Sequence, residues 1–177
     1  MDTRERLDLL ALDKDKRLVI IENKLDDSGR DVTWQAVKYA SYCSSMNTNN
    51  VFQIYQKYLD KYNPGKVAKE EIKVFLGTTE DDFVLNQGQS TQRIFLVAAE
   101  FQKEVTSSVL WLRNFNIDIS CFKVTPYEYE GKLFVDFDKI IPLPETEDKL
   151  VGLLCQVIQR AHRIEPRLEI LYKIELA

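Results

Sequence analysis

Cysteine and histidine are scarce in this chain of 177 residues, which carries three of the first and one of the second. Cys43, Cys121 and Cys155 are widely spaced and odd in number. That argues against a disulfide framework or a zinc site and for reduced, mostly buried thiols. His162, in the run Arg160-Ala161-His162-Arg163, has no partner nearby in sequence and reads as a surface or helix-end residue. A single imidazole also speaks against multi-His metal sites and a Ser-His-Asp triad. Long apolar runs are missing too, since none approaches the roughly 18 residues that span a bilayer. The opening Met1–Leu10 is charged and lacks the apolar core of a signal peptide. These absences predict a cytoplasmic protein with no membrane partner. Positive charge is in deficit: 24 Lys and Arg stand against 28 Asp and Glu, a formal net charge of −4. Non-specific coating of nucleic acid is disfavoured, although a local basic patch remains compatible with that charge. There is no fixed-period repeat and no low-complexity tract, so the length suggests one domain with a short appendage.

The hydrophobic pattern alternates between strand and helix periods. Residues 6–12 and 17–22 read as two strands around the polar turn Asp13-Lys14-Asp15-Lys16, an antiparallel hairpin. Both faces of each strand are apolar, as in a sheet covered by helices. Asp31 is the expected N-cap of a helix over 32–44, and further helices are expected over 51–62 and 67–76. A loop over 78–92 then leads to a buried strand, 93–99, and a helix, 101–115. A strand over 117–124, a turn over 127–131 and a return strand over 132–137 follow, with 140–144 leaving the sheet. A long amphipathic helix is expected over 148–164, and 168–176 reads as a short helix or strand. The order implies an α/β layer fold with a mixed sheet.

The chemistry gathers at the end of the hairpin. If its turn centres on Asp15, Asp8 lies opposite Glu22, and Lys24, two residues further, shares that face. An apolar strand can end in charges simply because it has reached solvent. Asp8, however, interrupts an otherwise apolar strand between Leu7 and Leu9 and needs a partner. Two carboxylates in a half-buried place call for a cation or a proton. Mg²⁺, with its oxygen preference, meets that need, and the Asn23 carbonyl lies between the two side chains as a further ligand. Lys24 is placed to orient or activate a water in attack on a phosphodiester. Arg30 and Lys38 border the loop and helix after Lys24 and are placed to meet phosphates. Trp34, Tyr39 and Tyr42 are candidates for base stacking, against a default core role. Lys14, Lys16 and Arg17 read as a solvated turn.

Asp8 followed by Glu22-Asn23-Lys24 at the end of an apolar strand resembles the PD-(D/E)XK nuclease superfamily. Gln35 and Tyr39, four residues apart on the next helix, are similar to that family's exonuclease-like branch. The runs RIFLVAAEF, EVTSSVLWLRNFNIDISCFKV and FDKIIPLPE resemble an uncharacterised bacterial subfamily. The likeness covers most of residues 1–145. It implies a restriction-endonuclease-like three-layer α/β/α fold with a central mixed sheet, residues 1–145 forming the nuclease-like domain. Residues 146–177 would be a C-terminal helical extension packed on it. It implies metal ligation by Asp8, Glu22 and Asn23, with Mg²⁺ as cofactor and Mn²⁺ as substitute. It also implies catalytic roles for Asp8, Glu22, Lys24 and Gln35, with Tyr39 supporting the site or meeting nucleic acid. The expected partner is nucleic acid, DNA ahead of RNA. Two departures stand out: the family's helix before the first strand is missing, and Leu7 stands where the family name has proline. The rival expectations are a catalytically inactive nuclease-like module that binds nucleic acid or a protein, and a homodimer formed through the apolar stripe Val151, Leu154, Cys155 and Ile158.

Overall fold

A computed structural model describes residues 7–24, 31–87 and 92–143, and the backbone of 168–172. The elements are β1 (Leu9–Asp13), β2 (Leu18–Lys24), α1 (Val32–Ser44), α2 (Thr48–Tyr62), α3 (Ala68–Leu76), β3 (Gln92–Ala98), α4 (Lys103–Arg113), β4 (Ile119–Tyr129), β5 (Lys132–Ile141) and β6 (Leu168–Tyr172). The strands form one sheet in the order β5-β4-β3-β2-β1-β6. β2, β3 and β4 run parallel, whereas β1 and β6 at one side and β5 at the other run antiparallel to their neighbours. The protein is therefore mixed α/β. Among the described residues no helix is long and apolar enough to cross a membrane.

Alternation explains which face each strand gives to the helices. Leu10, Leu12, Leu18 and Ile20 face α1, α2 and α3 together with Tyr39, Val51, Tyr55, Leu59 and Ile72. The same face continues across Ile94, Leu96, Ile119 and Cys121, which pack on Val32 and Ala36 of α1 and on Val105 and Val109 of α4. Each Leu or Ile buried in this way contributes about 2 kcal/mol. On the opposite face Ala11, Val19, Ile21 and Phe95 form a smaller buried cluster. The described helices thus occupy one face. The helix expected over 148–164, which would supply a third layer, lies outside the described residues, as do Cys155 and His162.

Several boundaries differ from the sequence pattern for identifiable reasons. Asp31 stands at the α1 N-cap, but its side chain makes no capping bond. The α2 cap is instead built by Asn47 and Asn50, which exchange side-chain and backbone hydrogen bonds, so the helix begins at Thr48, ahead of the expected Val51. The turn expected over 127–131 shrinks to Glu130 and Gly131, both at positive φ, and β4 runs to Tyr129. Ile140 and Ile141, expected to leave the sheet, belong to β5, with Ile141 opposite Cys121. Residues 168–172, expected within a short helix or strand, form a strand beside β1 in the same sheet.

The basic turn is not simply solvated. Arg17 bonds Asp13, Asp15 and Asp118, and Arg93 joins the buried Asp13 and the half-buried Asp118. Lys14 donates to the Phe75 carbonyl oxygen at the end of α3.

Candidate active site

The hairpin register delivers the convergence expected from the sequence. Leu9 pairs with Ile21, Leu10 with Ile20, Ala11 with Val19 and Leu12 with Leu18, all symmetric about Asp15. One step beyond, Asp8 comes level with Glu22 and Asn23, and its Oδ2 accepts a hydrogen bond from the Asn23 backbone N–H at 2.7 Å. Glu22 and Lys24 sit on the helix-covered face, where Glu22 follows the apolar Leu18 and Ile20 and is 1% exposed. Lys24 Nζ lies 4.0 Å from Glu22 Oε1.

Helix α1 crosses that face, with Val32 and Ala36 in the cluster of β3 and β4 and Tyr39 in that of β2. This brings Gln35 to Lys24, whose Nζ donates to Gln35 Oε1 at 3.4 Å. Gln35 Nε2 in turn donates to Tyr39 Oη at 3.4 Å, one helical turn on. A line of polar contacts therefore runs from Glu22 through Lys24 and Gln35 to Tyr39, which the core holds 2% exposed. That burial leaves Tyr39 no open face for a base, so its place is behind Gln35. Lys38 is half-buried on α1, with Nζ 5.9 Å from the centre of the Tyr39 ring. Trp34, beside Gln35, is 74% exposed, and Tyr42 is exposed as well. Arg30 lies outside the described residues.

Electrostatics at the strand end are frustrated. Burial, and then the Asp8 carboxylate, push the Glu22 acid up to about 7, against the opposing pull of Lys24 and the Asp8 backbone N–H. Glu22 Oε2 is buried and finds no hydrogen-bond partner among the described residues. A buried, orphaned carboxylate oxygen beside a second carboxylate fits an oxygen-seeking divalent cation. The available donors are Asp8, Glu22 and the Asn23 carbonyl. Among the described residues no cluster of three or more His, Cys, Asp or Glu joins them. A second buried oxygen without a partner, Thr33 Oγ1, sits two residues before Gln35. A threonine in a first helical turn carries no sequence signal that would have marked it.

Elsewhere, Cys43 and Cys121 are free and buried, and burial pushes both thiols up to about 12. They are inert core residues, as their spacing suggested. Protein-family models, curated proteins and solved structures give no match to this chain.

Proposed function

We propose that this protein is a metal-dependent nuclease of the PD-(D/E)XK type, hydrolysing phosphodiester bonds in nucleic acid. The observation that carries the reading is the meeting of Asp8, Glu22, Lys24 and Gln35 at one strand end, with Glu22 Oε2 buried and without a partner among the described residues. A restriction-endonuclease-like fold is part of the same proposal. The mixed sheet, the hairpin that carries both carboxylates and the helix that follows it support that part.

Asp8, Glu22 and the Asn23 carbonyl would hold Mg²⁺ or Mn²⁺. Such a cation polarises a phosphoryl oxygen and lowers the pKa of a bound water. The chain's own residues supply the rest. Lys24 Nζ, steadied by Gln35, holds a water or offsets the charge that develops on phosphorus. Gln35, braced by Tyr39, keeps Lys24 from collapsing wholly onto Glu22. Lys38 and the exposed Trp34 lie on the helix beside Gln35, where phosphate contact and base stacking would position a strand. DNA stands ahead of RNA, and the setting would be the cytoplasm.

A second reading is a binding module without catalysis. It is favoured by the absence of a third carboxylate from the cluster among the described residues. A panel of single- and double-stranded DNA and RNA, incubated with Mg²⁺, Mn²⁺ or chelator, separates the two. The nuclease reading predicts metal-dependent cleavage that falls by at least about 100-fold in Lys24→Ala, the scale of losing one charge-stabilising group. Metal-independent binding with no cleavage under any condition supports the module instead.

A further inference from the structure

Among the described residues, β5 is the outer strand of the sheet and no strand pairs with its outer edge. Beyond the point where β3 stops at Ala98, β4 and β5 continue as a two-stranded arm. On this arm Leu133 is 74% exposed and Phe137 55% exposed, with Val135 exposed between them. Segment 132–138 contains no proline, and the one register shift against β4 lies at its far end, beside Cys121. Neither proline nor a bulge interrupts this edge, and its charges, Lys132, Asp136 and Asp138, flank the apolar run Leu133-Phe134-Val135.

We propose that this edge is the contact through which two copies of the chain pair, β5 against β5, antiparallel and centred on Val135. The hairpin geometry and the charges select that register. Glu130 and Gly131 form a two-residue loop at positive φ, so Tyr129 and Lys132 are a hydrogen-bonded pair. Along β5 the backbone groups of Lys132, Phe134, Asp136 and Asp138 then point to β4. Those of Leu133, Val135 and Phe137 point to the free edge. A two-fold axis at Val135 sets outward groups against outward groups. It opposes Leu133 to Phe137 of the second copy, and Lys132 to Asp138, each twice by symmetry. Moving the axis to Asp136 would instead oppose Asp136 to itself. Moving it to Phe134 would run the pairing into the turn at Gly131. The arm carries nearly balanced charge, with Lys123, Lys132 and Lys139 against Glu128, Glu130, Asp136 and Asp138. That balance suits a second copy better than a polyanion.

The test is sedimentation of the full chain over a micromolar to submillimolar range, with Lys132→Asp and Asp138→Lys measured alone and mixed. Circular dichroism and melting of each variant establish that it remains folded. The wild type should approach twice the 20.7 kDa chain mass as concentration rises. Each single variant places like charges opposite one another twice and should weaken association by about 30-fold. An equimolar mixture restores both opposite-charge pairs and should recover wild-type association. Val135→Pro, which removes an outward N–H without breaking the β4 ladder, should be a folded monomer. A wild type that stays monomeric throughout would overturn the proposal and leave the edge to a strand from another protein. Single variants that pair as well as wild type, or a mixture that fails to recover, would equally overturn it.

Discussion

Burial and the neighbouring Asp8 carboxylate both oppose ionisation of Glu22, and the consequence is measurable as a pH dependence of stability. Its folded value, about 7, lies above the ordinary carboxylate value of 4.5. The fold therefore favours the protonated acid. This stabilisation is complete below pH 4.5 and is lost as pH rises through 7, up to about 3 kcal/mol for such a shift. In chelator, the wild type should lose stability across that window. Glu22→Gln should lack that loss and should melt higher than the wild type at pH 8. Denaturant titrations of both proteins at several pH values check this. At the same scale, strand alternation puts Asp8, Glu22 and Lys24 on one face once the turn is centred on Asp15, a centring that the turn residues alone leave open and the hairpin register supplies. The burial of Tyr39 agrees with the default core role of a helical aromatic; the expected contact with nucleic acid fails because α1 packs its ring into the core.

Among the elements, the β1–β2 hairpin matters most, because a one-residue slip would send Asp8 to the wrong face. Its turn is pinned from outside. Asp13 accepts from the Arg17 backbone N–H at 2.9 Å and side chain at 3.0 Å, and Arg93 of β3 approaches the same carboxylate. Asp13→Ala would leave Arg17 and Arg93 to share Asp118, with Asp15 still on Arg17, and should cost about 1–2 kcal/mol through the lost charged hydrogen bonds, read as a lower denaturation midpoint. The sequence could not reveal this node, since Arg93 lies 80 residues from Asp13 and Arg17 lies 101 from Asp118. The β4–β5 arm escaped for another reason. Pro126 lies opposite Val135, at a position whose backbone faces away from β5, and beyond the end of β3. It forfeits no ladder bond there, although proline in a sequence normally signals the end of a strand.

For the whole molecule, local pattern gave the succession of strands and helices but not the sheet order. Pairing β6 with β1 joins residues from opposite ends of the chain, and such contacts leave no short-range trace. The result is a sheet whose hairpin end gathers two carboxylates, an ammonium and an amide. Its other outer strand, β5, has no second neighbour among the described residues. A divalent cation is proposed to complete the Asp8–Glu22 pair. Calorimetric titration of Mn²⁺ and Mg²⁺ into the metal-free protein at pH 8, repeated with Asp8→Asn and Glu22→Gln, tests it most directly. Saturable binding is expected in the wild type, and both substitutions should abolish it while the fold persists. Absence of binding in the wild type, or equal binding in all three proteins, would contradict it.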